Sequence, residues 1–189
     1  MATIGVLYAT RHGHAGKIAE RIAHPLREGG HDVRVVRCPV LFRPELDVAS
    51  LDAVVLGGSM YLRHHPPELG RFIRRHRKEL EARPTAFFSV SLSAASKDAA
   101  LRDSVRRLVD ARFARSGWKP ALTALFGGEL AYTRYPLPLR LVMRAIAWRG
   151  GGPTDTSRDH VLTDWEAVEA FAHEVDKLVA ERGEGRRAA

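Results

Sequence analysis

Short apolar runs alternate along this chain of 189 residues with stretches whose apolar residues recur at helical spacing. A continuous apolar run bounded by turn residues is typical of a strand buried on both faces. Such runs predict strands at residues 4–8, 33–36, 53–58, 85–91 and 121–127. Strands that alternate with helices pair in parallel through right-handed crossovers, so the pattern predicts a three-layer α/β sandwich.

The helices between these strands follow from apolar spacing and from stop signals. The first is predicted to stop at Gly29, and Pro25 within it predicts a kink or an early end because proline removes a backbone donor. The next two helices are predicted from residue 67 to about residue 80 and over residues 98–115.

The last helix has a predicted capping box, in which Thr163 is the N-cap and Glu166 lies three residues on. Gly183 is expected to end this helix, and residues 183–189 are expected to form a disordered basic tail. Because no linker or internal repeat divides the chain, residues 1–182 are expected to form one domain.

A segment at about residues 132–160 follows the fifth strand before the last helix begins. Residues 137–149 within it predict a basic amphipathic helix, with Arg140, Arg144 and Trp148 at i, i+4 and i+8 on one face. Its apolar face is predicted to consist of Leu139, Val142, Met143 and Ile146.

The charge balance favours an acidic partner, because 30 Lys and Arg residues against 22 Asp and Glu give a net charge of +8. The densest basic run, residues 71–78, lies on a predicted helix without a nucleic-acid recognition motif, so no nucleic-acid partner is expected. The single cysteine, Cys38, is interpreted as a core residue, and the histidines lack metal-binding spacing, so no metal is expected. A cytosolic protein that does not span a membrane is expected, since no leader or long apolar run is present.

The junction between the first strand and the first helix has the pattern of an anion site. The first N–H groups of a helix lack internal partners, and the helix dipole adds positive charge there. A Walker loop is excluded because Lys17 is not followed by Ser or Thr, and the dinucleotide fingerprint is absent because only Gly13 and Gly16 are present. The remaining pattern at residues 9–15, ATRHGHA, resembles the phosphate loop that wraps FMN in flavodoxins, and an ordinary strand-to-helix turn is the alternative.

The loops after the first, third and fourth predicted strands carry the candidate ligand chemistry. In flavodoxins the strand order is 2-1-3-4-5, and FMN lies where these loops meet. Small residues allow the backbone to approach a planar ring, and Tyr61 has the shape to stack on one face of it. The candidate cofactor-binding residues are Thr10, Arg11, His12, Gly13, His14 and Ala15, then Ser59, Met60 and Tyr61, then Ser91, Leu92, Ser93 and Ala94.

From about residue 3 to residue 178 the chain resembles the menaquinone-dependent protoporphyrinogen IX dehydrogenases, a flavodoxin-like family. The blocks that carry this resemblance are SGWKP at residues 116–120, RY at 134–135, GGPTDT at 151–156 and TDWE at 163–166. The phosphate loop is similar to T-R-D-G of the family, with His12 in place of the acidic residue, Ala9 in place of a serine and Ala15 in place of a threonine. The two loop histidines could donate to phosphate instead.

The resemblance implies a flavodoxin-like fold with an insert helix after the fifth strand, and FMN as the cofactor. It implies oxidation of protoporphyrinogen IX to protoporphyrin IX with menaquinone as the acceptor, in haem biosynthesis. It also implies a protein on the inner face of the cell membrane. The candidates that would bind substrate propionates are Lys97, Arg134, Arg140 and Arg144, which could equally be solvent-facing basic residues.

Other functions remain open at this point. A general FMN-dependent quinone reductase has the same fold. A flavodoxin-type electron carrier is usually acidic, which the net charge of +8 disfavours. A basic binding module without flavin is a further alternative. The identity of the porphyrinogen, the quinone type and a homo-oligomeric state are also open.

Overall fold

The computed structural model describes residues 1–38 and 47–187, with side chains described up to residue 183. Its centre is a parallel sheet of β1 (Thr3–Ala9), β2 (Asp32–Arg37), β3 (Ala53–Ser59), β4 (Thr85–Ser91) and β5 (Leu122–Gly127). The strand order is β2-β1-β3-β4-β5, which confirms the predicted order. The fold is therefore a flavodoxin-like α/β sandwich.

Helices cover both faces of this sheet. The helices are α1 (His14–Glu28), α2 (Pro67–Arg75), α3 (Arg77–Glu81), α4 (Ala99–Ser116), α5 (Leu137–Arg149) and α6 (Trp165–Arg187). α1 and α6 pack together on one face, and α2 and α4 bury their apolar residues on the other. Both faces of β1, β3 and β4 are buried as a result, which explains why their sequences are continuously apolar.

Two helix ends differ from the prediction. Of the kink or early end predicted at Pro25, the early end is wrong: α1 continues to Glu28, because Gly29 N donates to Pro25 O at 2.9 Å and the buried Leu26 keeps the last turn on the sheet. The helix predicted from residue 67 to about residue 80 is divided at His76, whose ring lies 4.7 Å from that of Phe72. No glycine or proline marks this division. Because the apolar residues keep their helical spacing across His76, the sequence predicted a single helix.

The ends of α6 also differ from the prediction. Asp164 is the residue that caps it, since Asp164 Oδ1 accepts from Ala167 N at 3.1 Å, and Thr163 is engaged elsewhere. The helix continues through Gly183 to Arg187, because a glycine inside a helix costs only about 1 kcal/mol relative to alanine. The predicted helix end at Gly183 is therefore wrong, and residues 188–189 of the predicted tail lie outside the described residues.

The insert after β5 forms its own small core. Two short strands, β6 (Glu129–Leu130) and β7 (His160–Val161), pair antiparallel in a small two-stranded sheet that the sequence reasoning missed. α5 lies between them in sequence, has the predicted bounds and packs next to β6 through Met143 and Ala147. This small core holds α5 at the edge of the sheet next to β5.

Candidate functional site

The carboxyl ends of β1, β3 and β4 bring the three candidate loops together. The register pairs Ala9 with Gly58 and Ser59 with Val90, so these strands end side by side. The loops are tied across this edge, because Arg11 N donates to Ser59 Oγ at 3.3 Å and Met60 N donates to Val90 O at 2.7 Å. The edge is thus one site built from three separate parts of the chain.

The first loop presents an uncompensated helix N-terminus. Gly13, the N-cap of α1, has φ of +90°, and its N–H donates to Thr10 Oγ1 at 2.9 Å. No side chain caps the helix and its first turn contains no acidic residue. A Cβ built on Gly13 would meet nothing within 4 Å, so the space over the loop is open. The donors and the positive end of the helix dipole therefore fit a phosphate group.

A cavity of about 440 Å³ lies between the first and second loops. Tyr61 stands in its wall, with the Arg11 guanidinium 4.7 Å above the centre of the Tyr61 ring. Arg37, the last residue of β2, was not predicted as a site residue, and its Nη2 donates to Thr10 O at 3.1 Å. The guanidinium group adds a positive charge beside the first loop. The sequence does not indicate that a basic residue at the end of an edge strand will contact this loop.

The second loop contains a tight turn in an unusual conformation. Leu62 and Arg63 both have positive φ, at 47° and 67°, and Tyr61 and His64 exchange backbone hydrogen bonds around them. Non-glycine residues with such dihedrals cost on the order of 1–3 kcal/mol each and concentrate at ligand sites. This turn sets the position of Tyr61.

Below this turn, His65 is buried and its Nε2 lies 2.9 Å from Ser89 Oγ. Burial, together with the nearby charges of Arg112 and His64, lowers the pKa of His65 to about 3. His65 is therefore a neutral structural residue under the loop. Cys38 is buried too, as predicted, and burial raises the pKa of its thiol to about 12.

The third loop begins with Ser91, whose Oγ accepts from Ala94 N at 3.2 Å and holds the turn Leu92–Ala95. A cavity of about 330 Å³ separates this turn from α5. Its lining is largely apolar. The apolar residues come from the turn, α4, α5, β6 and the residue that follows β7: Leu92, Ala95, Leu101, Leu130, Ile146 and Leu162. The cavity adjoins the candidate cofactor loops and is closed on one side by the insert helix.

His14 was predicted as a phosphate donor, but its ring nitrogens face the protein interior. Its Nε2 lies 2.6 Å from Thr163 Oγ1, and its Nδ1 lies 3.3 Å from Glu129 Oε2 without forming a hydrogen bond. Thr163 Oγ1 donates in turn to Gly127 O at 2.7 Å. Burial lowers the pKa of His14, although Glu129 opposes this effect. His14 therefore ties α1 to the insert, and only its backbone N–H is left for an anion.

The four candidate substrate-binding residues differ in their surroundings. Arg134 is already paired, with Nη2 2.8 Å from Glu129 Oε1 and Nε 3.4 Å from Asp159 Oδ2. Arg140 Nη2 donates to Tyr135 O at 3.2 Å, and its Nε is buried. Lys97 and Arg144 are exposed on opposite sides of the insert helix region. The charges of Lys97 and Arg144 are therefore available to a ligand, whereas that of Arg134 is offset.

Within residues 1–38 and 47–187, no helix is long and apolar enough to cross a membrane. In the same part of the chain, no three or more His, Cys, Asp or Glu residues are grouped so that they could hold a metal ion.

Comparisons with known proteins agree with this geometry. A family model described as a flavodoxin domain matches residues 5–157. The chain is 32% identical over 173 residues to protoporphyrinogen IX dehydrogenase (quinone) of Escherichia coli K12, and the match covers 92% of this chain and 94% of that protein. It is 34% identical over 179 residues to the protein of the same name from Leishmania major, covering 92% of this chain and 74% of the relative.

Solved structures show the same fold at low identity. A flavodoxin from the domain Archaea superposes with a TM-score of 0.52 at 14% identity, covering 94% of this chain and 99% of that one. Flavodoxin 1 of Bacillus cereus superposes with a TM-score of 0.52 at 15% identity, covering 93% and 98%. The similarity extends through the sheet and the helices that position the three loops.

Proposed function

Because the chain belongs to the flavodoxin-fold family of protoporphyrinogen IX dehydrogenases, and is thus an oxidoreductase, we propose that it oxidises protoporphyrinogen IX to protoporphyrin IX. We propose menaquinone as the electron acceptor, haem biosynthesis as the pathway, and the inner face of the cell membrane as the place of reaction. The match to a relative named for this activity over 94% of its length supports the substrate.

FMN is the cofactor, and the loops at the carboxyl edge of the sheet would hold it. The N–H groups at the start of α1 and the open space over Gly13 suit its phosphate. Ser59, Met60 and Tyr61 on one side, and the turn Leu92–Ala95 on the other, would line its ring. When bound, FMN supplies the hydride-accepting chemistry and transfers the electrons onward to the quinone.

The observation that carries this proposal is the apolar cavity between the turn Leu92–Ala95 and α5. It lies where a large flat substrate would meet the cofactor edge, and Leu92 and Ile146 form apolar walls on its two sides. Arg149 also lines the cavity, and Lys97 lies at the same end of α5, within 4 Å of the Cβ that Gly151 lacks. These two cations would bind the propionates of a porphyrinogen.

The outer face of α5 supports a membrane-dissolved acceptor. Leu137, Leu141 and Trp148 are 71%, 59% and 73% exposed, and Arg144 lies among them. A helix with apolar residues on its outer face, basic residues and an interfacial tryptophan is typical of a helix lying in the membrane surface. α5 would therefore bring the site to the lipid surface where menaquinone is found.

The proposed reaction can be measured by porphyrin fluorescence in two parallel assays, one anaerobic with detergent-dissolved menaquinone and one aerobic without quinone. We expect FMN-loaded protein to form protoporphyrin IX faster with menaquinone than with oxygen alone. Ile146→Asp should slow the reaction, because it places a carboxylate in the cavity where apolar substrate would bind.

The matched control is Val142→Asp, on the same helix and 54% exposed, but outside the cavity. Its rate should equal that of the unchanged protein, because detergent-dissolved menaquinone reaches the site without attachment of α5 to a membrane. Equal rates with and without menaquinone, or no porphyrin above the spontaneous background, would instead favour the general quinone reductase.

A further inference from the structure

A second cavity, of about 290 Å³, lies in the groove between α2 and α4 and beneath the turn at residues 61–64. It opens on the helical face of the sandwich, away from α5 and the insert. Among the described residues, its lining includes four arginines and two histidines and no acidic residue: Arg63, His64, His65, Arg74, Arg112 and Arg115. The FMN and substrate contacts proposed above do not use these arginines.

Two of the guanidinium groups converge over Gly70. A Cβ built on Gly70 would lie 3.2 Å from Arg112 Nη2, a tight contact, and 3.5 Å from Arg74 Nη1, an ordinary van der Waals distance. Glycine within a helix costs about 1 kcal/mol relative to alanine. Gly70 therefore makes α2 less stable at the point where the two arginines approach each other.

Within residues 1–38 and 47–187, the Nε of Arg112 is buried without a hydrogen-bond partner. In the same part of the chain, neither Arg112 nor Arg74 pairs with a carboxylate. Burial lowers the pKa of Arg112, and the positive charge of Arg74 lowers it further. The structure thus holds two like charges together, one of them partly out of water.

Such an arrangement is costly unless an anion completes it. Buried charges in proteins are normally paired, because removing an ion from water costs several kcal/mol that only a partner offsets. An oxyanion with charge −2 would neutralise both guanidinium groups and accept their N–H donors in the fork geometry that arginine presents. A cavity of this volume is at the small end of ligand pockets, which run from roughly 300 Å³ upward.

We propose that the groove between α2 and α4 binds the phosphate group of a small soluble ligand, with Arg74 and Arg112 as its principal contacts. Arg63, Arg115 and His64 stand at the rim of the cavity and add positive charge and N–H donors. This site is separate from the FMN phosphate loop at the start of α1.

The test is isothermal titration of the FMN-saturated protein with inorganic phosphate, and then with glycerol phosphate, at constant ionic strength. Saturating FMN keeps the loop at the start of α1 occupied, and flavin absorbance reports any displacement. We expect saturable binding of both phosphates without loss of flavin.

Arg74→Gln and Arg112→Gln should each weaken this binding by on the order of tenfold or more, since each removes a charge-assisted hydrogen bond. Arg107→Gln is the matched control, because Arg107 is exposed on the same helix as Arg112 but does not line the cavity. It removes the same charge and should leave the affinity unchanged. Arg74 is exposed, so its variant tests the site even if the Arg112 variant fails to fold.

The proposal is overturned if the protein shows no saturable phosphate binding, or if all three variants bind phosphate equally. Binding to phosphatidylglycerol vesicles that depends on Arg74 and Arg112, without binding of either soluble phosphate, would also overturn it in favour of a lipid headgroup. These outcomes do not depend on the porphyrinogen reaction, which is measured separately.

Discussion

Gly13 is the residue on which we expect FMN binding at the proposed site to depend most directly. Its φ of +90° is accessible to glycine but strained for a β-branched residue, so Gly13→Val should pull the loop away from a phosphate. We expect FMN affinity to fall by about tenfold or more, equivalent to roughly 1.4 kcal/mol for each factor of ten. Fluorescence titration of the flavin-free protein with FMN measures the change.

Gly30 provides a matched control for this substitution. It has φ of +83° and, like Gly13, no neighbouring atom within 4 Å of a built Cβ, but it lies at the other end of α1. Gly30→Val should cost about 1–2 kcal/mol of folding stability while FMN affinity stays unchanged. Full FMN binding by Gly13→Val would show that the phosphate lies elsewhere.

His65 should make the protein sensitive to acid. Burial lowers its pKa from 6.5 to about 3, so between these values the unfolded chain binds a proton that the folded protein does not. Stability should therefore decrease as the pH falls below about 6.5, by about 1.4 kcal/mol per pH unit from this residue. The lowered pKa of His14 acts in the same direction.

Urea denaturation at about pH 7 and about pH 5 measures this dependence. His65→Gln should reduce the slope of stability against pH, whatever its effect on stability at neutral pH. His24→Gln is the control, because His24 is exposed and pairs only with Glu28 one turn along α1. An unchanged slope in His65→Gln would show that the proton is taken up elsewhere.

Residues whose contacts lie within one local loop could be predicted from the sequence. Residues whose partners lie far along the chain could not. Thr10 and Gly13 follow from the local pattern of a strand, a turn and a helix. The inward orientation of His14 depends on Glu129 and Thr163, which lie far along the chain and meet it only after folding. Arg37 reaches the loop by the same kind of tertiary contact.

At the level of secondary structure, Thr163 and Asp164 should have different roles at the start of α6. Thr163→Val leaves the buried partners at Gly127 and His14 without their hydrogen bonds, so a loss of about 2–3 kcal/mol is expected. Asp164→Ala removes only the exposed helix cap and should cost about 1 kcal/mol. Thermal and urea denaturation compare the two, and a larger loss for Asp164→Ala would contradict this assignment.

The same two residues show why helix ends were predicted less well than strands. The pattern Thr-Asp-Trp-Glu permits either Thr163 or Asp164 as the cap, and the choice depends on the carbonyl of Gly127 across the site. The division at His76 likewise follows from packing on Phe72. β3 and β4, by contrast, are buried on both faces, so their apolar runs alone set their positions within a residue.

At the scale of the whole molecule, the sheet order was predicted from the family resemblance. Which residues are exposed around the sheet became known only from the structure. Periodicity predicted the bounds of α5 and placed Val142 and Ile146 on one apolar face together with Met143, but the structure exposes Val142 and Ile146 and buries Met143. The buried residues of α5 are Met143 and Ala147. The helix therefore has apolar residues on two faces, which amphipathic spacing alone could not distinguish.

This second apolar face predicts that α5 attaches the molecule to an anionic membrane. With 13 residues α5 is shorter than the roughly 20 needed to cross a bilayer, so it would lie in the surface with Trp148 and Arg144 toward the lipid. Arg140 is less suitable for a test, because its guanidinium is bound to Tyr135 O. Arg144→Glu combined with Trp148→Ser should abolish sedimentation with vesicles that contain phosphatidylglycerol, and FMN should remain bound.

A control must separate this attachment from the general attraction of a protein with net charge +8. Arg107→Glu combined with Leu62→Ser changes the charge equally and removes an apolar side chain that is 70% exposed, close to the 73% of Trp148. If α5 is the contact, the control protein still sediments with vesicles at low salt and the α5 variant does not. Equal loss in both proteins would show that charge alone holds the molecule at the membrane, and α5 would then be left as a wall of the substrate cavity.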